Sequence, residues 1–152
     1  MEEQIFLARV AEQSEMFEDM VNFLKNGIEL KNGEDFTVDE RNLFSVGFKN
    51  LIGGNRGALR TIGAIEQNPK YQKFAAGLKD YKTKIENGLY EQCMLIVSTV
   101  KDGCLKLAAD DESKAFFYKM VGDYYRYVAE SANESRIAEV KNGAVEGYAA
   151  AD

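Results

Sequence analysis

The sequence lacks histidine and tryptophan altogether, and it has one proline and two cysteines among its 152 residues. Without histidine there is no imidazole for a Ser-His-Asp triad, a histidine metal site or a pH switch near neutrality. The single proline, Pro69, favours long helices, because a proline inside a helix removes a backbone donor. No apolar run approaches the roughly 20 residues that cross a bilayer. Histidine-based catalysis and a membrane-spanning helix are therefore excluded at the outset.

The two cysteines, Cys93 and Cys104, fall within one helical pattern and are 11 residues apart. Along a helix this separation is about 16 Å, too far for a disulfide unless the helix breaks. The chain begins with the acidic run Met1-Glu2-Glu3, which is unlike a cleavable leader. We therefore expect two free thiols and a reducing, cytoplasmic location.

Basic residues are also in deficit. The chain carries 19 Lys and Arg against 25 Asp and Glu, a formal net charge of −6. This is the wrong sign for a general binder of nucleic acid or of anionic membranes, so we expect neither as a partner. Any anion site must be a local basic cluster.

The apolar residues recur at helical spacing, and no strand-like alternation of useful length is present. Turn and capping signals bound the helices: Asn32-Gly33, the capping-box spacing of Thr37 and Glu40, and Asn68-Pro69. The pattern predicts an all-α, single-domain fold with helices over residues 2–13, 16–30, 38–67, 73–108, 112–131 and from 134 onward.

The third predicted helix contains five glycines, each of which costs about 1 kcal/mol relative to alanine. Gly53 and Gly57 are four residues apart on one face, which favours close approach of another helix backbone at this point. A locally frayed or kinked helix is the alternative.

Two predicted helices carry basic residues on one face. Lys49, Arg56 and Arg60 lie within about 40° of one another on the third helix. On the fifth, Lys119 and Arg126 share a face, with the phenol of Tyr127 adjacent. If the two faces met, their guanidinium forks could hold a phosphate, whereas the same spacing is also typical of a solvated helix face, so both interpretations stay open.

An acidic run, Asp110-Asp111-Glu112, precedes the fifth helix. Carboxylates at a helix start usually complement the helix dipole, and a metal-binding enzyme site is the less favoured alternative. We expect no enzyme activity, no cofactor and no metal.

Two strings in the sequence carry a family resemblance. Residues 40–53 (ERNLFSVGFKNLIG) resemble the ERNLLSVAYKNVIG signature of the 14-3-3 proteins, and residues 113–120 (SKAFFYKM) with 122–127 (GDYYRY) resemble the second signature. Phe44, Gly47, Phe48 and Leu51 depart from the first. The resemblance extends over essentially the whole chain.

The resemblance implies an antiparallel helical array that binds phosphoserine and phosphothreonine in phosphorylated client proteins and regulates signalling partners without catalysis. Its phosphate-binding residues would be Lys49, Arg56, Arg126 and Tyr127. Its groove-lining residues would be Arg60, Lys119, Asp123 and Glu130. The helices that carry this pocket would be those of about residues 38–67 and 112–131.

The resemblance also implies a homo- or heterodimer formed by about residues 1–90. An ion pair between Asp19 and Lys84 of two subunits would be kept, whereas Met16 and Gly88 replace the partners of a second pair. The interface residues implied are Val10, Ser14, Asp19, Ala58, Ile62, Ile65, Tyr81 and Lys84.

Members of the family continue beyond the length of this chain. We therefore expect a truncated array, incomplete at the carboxyl end, in which half of the peptide groove is present. A self-associating helical scaffold that binds no phosphopeptide is the alternative function.

Overall fold

The computed structural model describes residues 1–129 and 134–151, and it confirms the all-α class: this part of the chain contains no β-strand. None of its helices is long and apolar enough to span a membrane. A 3₁₀-helix (Pro69–Phe74) precedes α4, and a π-helical turn (Val100–Cys104) follows it. The α-helices are α1 (Glu2–Gln13), α2 (Phe17–Glu29), α3 (Val38–Glu66), α4 (Ala75–Thr99), α5 (Leu105–Leu107), α6 (Asp111–Ala129) and α7 (Glu134–Ala151).

The predicted turn and cap signals before α3 are confirmed. Asn32 and Gly33 take the left-handed conformation, with φ of 52° and 86°, where α2 gives way to the loop. The Thr37 hydroxyl accepts a hydrogen bond from the Glu40 amide at 3.1 Å, and the Glu40 carboxylate accepts one from the Thr37 amide at 2.8 Å. This reciprocal capping box fixes the first turn of α3.

The predicted helix over residues 73–108 is present as a continuous helical run from Ala75 to Leu107, with one π-helical turn inside it. It begins at Ala75, because Pro69–Phe74 form a 3₁₀-helix, and α4 ends at Thr99 where the π-helical turn begins. Within that turn a Cβ on Gly103 would lie 3.1 Å from the Ile28 side chain of α2. The turn therefore contains a poor helix former that packs closely against α2,.

The core is rich in phenylalanine. Phe36, from the loop before α3, and Phe44, from α3, have ring centroids 5.3 Å apart, and Phe117 of α6 lies 5.5 Å from Phe36. Phe48, one turn further along α3, contacts Phe44 at 5.7 Å and Tyr124 of α6 at 6.3 Å. Apart from the tilted Phe44–Phe48 pair these contacts are edge-to-face, and such aromatic pairs stabilise a core beyond their buried area,. They hold the amino-terminal half of α3 against α6.

Asp35 ties the start of α3 to the start of α6. Its carboxylate accepts hydrogen bonds from the Ala109 amide at 2.8 Å, the Ser113 hydroxyl at 2.8 Å and the Phe36 amide at 2.7 Å. Burial opposes ionisation of Asp35, but these hydrogen bonds together outweigh it and lower the pKa of the carboxyl group,.

The acidic run before α6 acts as a helix start, as predicted. The Asp110 carboxylate accepts a hydrogen bond from the Ser113 amide at 2.7 Å, which satisfies one of the unpaired donors of the first turn,. Asp111 and Glu112 occupy that first turn.

The predicted free thiols are confirmed, since Cys93 and Cys104 are both unbridged and buried. Burial raises the pKa of each thiol to about 12, so both are held as neutral side chains of the core,.

The predicted close approach at Gly53 and Gly57 is wrong within this chain. A Cβ on Gly53 would meet no atom of the described chain within 4 Å, and one on Gly57 would meet only the Arg60 side chain at 3.9 Å. The reason is that this part of α3 faces away from the core, with Gly53 exposed.

Candidate functional site

The two basic faces predicted from the sequence do meet. α3 carries Lys49 and Arg56, and α6 carries Arg126 and Tyr127. The two helices are held together behind these side chains by the contact between Phe48 and Tyr124. Burial raises the pKa of the Tyr124 phenol, and the nearby phenol of Tyr127 raises it further, so Tyr124 stays neutral beneath the site.

Tyr127 lies between the two arginines of the site, Arg56 and Arg126. The Arg56 guanidinium carbon is 4.3 Å from the centroid of its ring, and that of Arg126 is 5.3 Å from it. Both distances fit cation–π contacts. A hydrogen bond that the Arg126 side chain donates to Tyr127 is the main cause of a raised pKa of this guanidinium. Two arginines from two helices are therefore oriented on one phenol.

A small cavity of about 110 Å³ opens beside Tyr127. It is well below the roughly 300–1,000 Å³ typical of sites for drug-sized ligands, and it suits a single small group. Among the described residues Lys49 has no carboxylate partner, and its side chain is exposed. The lining residues are Ser45, Lys49, Phe116, Lys119, Met120, Asp123, Tyr124 and Tyr127.

Asp123 is the acidic member of the site. Its Oδ2 lies 3.2 Å from the Lys119 ammonium and its Oδ1 3.9 Å from the Arg126 guanidinium. The first contact is an ordinary i,i+4 pair within α6,. Oδ1 in addition accepts a hydrogen bond of 2.6 Å from the Tyr148 hydroxyl of α7. No motif in the sequence predicted a role for Tyr148.

The remaining predicted groove residues are less connected. Arg60 is exposed; like Arg56 and Arg126 it does not line the cavity. Glu130 lies outside the described residues. In the part of the chain that the structure describes, no group of three or more His, Cys, Asp or Glu side chains could hold a metal ion.

The residues predicted for the dimer interface lie mostly on the surface of the chain. Val10 is 44% exposed, Ile65 38% and Tyr81 56%, whereas Ile62 is 5% exposed and packs within its own chain. Ala58 is half-buried, and Ser14, Asp19 and Lys84 are exposed.

A groove of about 510 Å³ lies where α3, the 3₁₀-helix and α4 meet. We call it the corner groove; it is lined by Ile65, Tyr71, Lys73, Phe74, Gly77, Leu78 and Tyr81. Next to it, Glu66 of α3 pairs with Lys82 of α4 at 3.2 Å. Phe74 is 59% exposed, which is unusual for so large an apolar side chain,.

Comparison with known proteins identifies the class. A family model described as 14-3-3 protein matches residues 7–152. The chain is 38% identical to "14-3-3 protein 5" of Solanum lycopersicum over 99% of its own length and 60% of that relative. It is 39% identical to the "14-3-3 protein homolog" of Candida albicans, over 99% of the chain and 57% of the relative. With "14-3-3-like protein D" of Nicotiana tabacum it shares 41% identity, over 85% of the chain and 53% of the relative.

The chain therefore belongs to the 14-3-3 family, as its two signature strings predicted. It spans at most about 60% of the length of these relatives.

Proposed function

We propose that this chain binds phosphoserine and phosphothreonine in client proteins through Lys49, Arg56, Arg126 and Tyr127, as an adaptor rather than an enzyme. The observation that carries the proposal is the arrangement around Tyr127, where two guanidinium groups lie over one phenol and Lys49 lines the adjoining cavity. Membership of the 14-3-3 family supports the adaptor role in general.

The chemistry of these side chains fits a phosphate dianion. A phosphoserine carries a charge of about −1.5 to −2 and three acceptor oxygens. Each arginine can donate two parallel hydrogen bonds, Lys49 adds a point charge, and the Tyr127 hydroxyl donates one more bond. Each charge-assisted bond contributes about 1.5–3 kcal/mol. Because the ring of Tyr127 already orients Arg56 and Arg126, binding loses less side-chain entropy.

The net charge of the chain limits where an anionic partner can bind. The chain as a whole has a net charge of −6, so it attracts acidic partners only at a local basic cluster,. Arg60, Lys119, Asp123 and Glu130 would line or brace that cluster, within the helices of about residues 38–67 and 112–131. We propose phosphorylated client proteins of the cytoplasm as partners, rather than nucleic acids or membranes.

Fluorescence anisotropy with a labelled phosphoserine peptide and its unphosphorylated twin tests this function. We expect at least about tenfold tighter binding of the phosphopeptide, and a loss of about tenfold or more in Lys49→Glu and Arg56→Glu, because each loses charge-assisted bonds. Lys106→Glu, an exposed charge reversal on α5 outside the cavity, is the matched control and should bind normally. Equal affinity for the two peptides, or normal binding by both pocket variants, would overturn the proposal.

Self-association through about residues 1–90 is the second proposed property, and the exposed apolar surface favours it. On α1, Phe6 is 64% exposed and Val10 44%, and the corner groove offers a complementary apolar concavity. Residues 1–16 carry four glutamates against one arginine, whereas residues 65–84 carry five lysines against two acidic groups. Apolar contact and opposite charge both favour α1 of one copy against the corner groove of another.

Light scattering at micromolar concentration tests self-association. We expect a dimer whose dissociation constant rises about tenfold or more in Val10→Glu. The change places a charge in an apolar contact and adds a negative charge to a helix that is already acidic. Glu29→Gln, an exposed change on α2 outside the proposed surfaces, is the control. A wild-type chain that stays strictly monomeric would overturn this second property and leave phosphopeptide binding to stand or fall separately.

A further inference from the structure

α7 crosses α6 at two glycines. A Cβ on Gly147 would lie 2.6 Å from the backbone nitrogen of Gly122 and 2.8 Å from its Cα, so no larger residue fits without moving the helices apart. The ring of Tyr148 covers the other side of this crossing, 2.9 Å from where a Cβ on Gly122 would stand. The backbone contact therefore sets the position of the Tyr148 ring.

From this position the Tyr148 hydroxyl reaches the residue next to Gly122. It donates a hydrogen bond of 2.6 Å to Oδ1 of Asp123. Burial, followed by this hydrogen bond, raises the pKa of Tyr148 to about 12, so the phenol remains a protonated donor throughout the neutral range. Asp123 is also the carboxylate that faces Arg126, through the same oxygen, at 3.9 Å.

We propose that Tyr148 is a positioning residue for the anion site, because its hydroxyl occupies the Asp123 oxygen that would otherwise take up the Arg126 guanidinium. The inference rests on the proposed phosphopeptide function. At 3.9 Å the Arg126–Asp123 contact is longer than a charge-assisted hydrogen bond, which is about 2.7–2.9 Å,. Tyr148 supplies the short bond to Oδ1 instead, and Arg126 stays over Tyr127.

Without the hydroxyl, Oδ1 keeps its lone pairs and loses its closest donor. Lys119 contacts the other oxygen, Oδ2, whereas Arg126 faces Oδ1, so Arg126 can supply the replacement bond at Oδ1. Forming this charge-assisted bond draws the guanidinium from Tyr127 onto Asp123. An arginine paired to a carboxylate must break that pair before it can bind a phosphate. The expected consequence is weaker phosphate binding with an unchanged fold.

Tyr148→Phe tests the inference, because it keeps the ring against Gly122 and removes only the hydroxyl. We expect about fivefold weaker binding of the phosphoserine peptide. Tyr125→Phe is the matched control, since Tyr125 packs against Gly143 of the same α7 and its ring contacts Lys101 rather than the Asp123 cluster. Normal affinity in Tyr148→Phe, or an equal loss in Tyr125→Phe, would overturn the inference.

A double-mutant cycle separates positioning from general packing. In the Asp123→Asn background the neutral amide no longer attracts the guanidinium as a carboxylate does, so adding Tyr148→Phe should change the affinity by less than about 1.5-fold. A fivefold loss that persists undiminished in this background would show that Tyr148 acts by another route and would overturn the inference.

A spectroscopic readout decides the inference even without peptide. The Nε–H resonance of Arg126, assigned by its absence in Arg126→Lys, should shift in Tyr148→Phe and stay in place in Tyr125→Phe. An unmoved resonance in Tyr148→Phe overturns the positioning role. If wild type failed to discriminate between the two peptides while the resonance shifted as expected, the proposed function would fail and the positioning of Arg126 by Tyr148 would stand.

Discussion

The two halves of α3 differ in what they contact. In the amino-terminal half, Phe44, Phe48 and Ile52 are fully buried. In residues 53–66, all within the described part of the chain, Ile62 alone is buried, while Gly53 is exposed and Ile65 is 38% exposed. One continuous helix is therefore packed into the core in its amino-terminal half and mostly exposed in its carboxyl-terminal half. Lys49 and Arg56 lie near the changeover, where a buried backbone supports side chains that reach solvent.

The comparison explains why the anion site can be built on this helix. A site is held most precisely when its side chains project from rigid, packed elements. The phenylalanines of the amino-terminal half supply that rigidity, whereas the far half of α3 is mostly exposed. If α3 is divided into a packed half and an exposed half in this way, substitutions in the two halves should have different effects on the free energy of unfolding.

The largest expected effect is at the aromatic core. Phe44→Ala should lower the free energy of unfolding by about 3–5 kcal/mol, because it removes a fully buried ring that contacts Phe36, Phe48 and Phe117,. Ile65→Ala, in the other half, should cost less than about 1 kcal/mol in the monomer. Urea denaturation of both variants measures the difference, and similar losses at the two positions would contradict the division of α3.

A smaller, pH-dependent effect is expected at Asp35, which anchors the amino-terminal half of α3 to α6. The pKa of folded Asp35 lies below the ordinary value of 3.8, so its contribution to stability is complete above that value and is lost as the pH falls through the folded pKa,. Asp35→Asn should cost about 1–2 kcal/mol at pH 7, and the stability of the variant should fall less than that of wild type between pH 5 and pH 2. Parallel pH profiles for the two proteins would contradict this role.

Much of the fold could be predicted because its signals are local. The capping box at Thr37 and Glu40 and the stop at Asn68-Pro69 depend on neighbouring residues, and both are present. The π-helical turn at Val100–Cys104 was not predicted; within it Gly103 packs against Ile28, which is distant in sequence. Tertiary packing decides such features, and a single sequence carries no direct record of it.

The candidate site likewise combines residues that could be predicted from the sequence with one that could not. Helical spacing placed Lys49 with Arg56 on one helix and Arg126 beside Tyr127 on another. The family resemblance assigned these four residues to one phosphate site, but neither argument indicated Tyr148. The sequence does contain an indication of the α6–α7 contact that positions Tyr148. Gly143 and Gly147 have the same i,i+4 spacing as Gly53 and Gly57, and this spacing predicts close approach of another helix. Helices approach closely at the former pair and not at the latter. Spacing alone cannot tell which glycine pair faces a neighbour.

The smallest expected effect comes from adding a single methyl group, by Gly→Ala, in each half of α3. Gly53→Ala should raise the free energy of unfolding by about 0.5–1 kcal/mol, because it improves helix propensity where the new Cβ meets no described atom within 4 Å,. Gly47→Ala, in the buried half, should lose most of that gain, since its Cβ would lie 3.1 Å from the Leu24 side chain,. Denaturation curves at equal protein concentration compare them. An equal gain at both positions would mean that the buried half of α3 is no more tightly packed than the exposed half, and a loss at Gly53 would mean that something packs against this face of the helix.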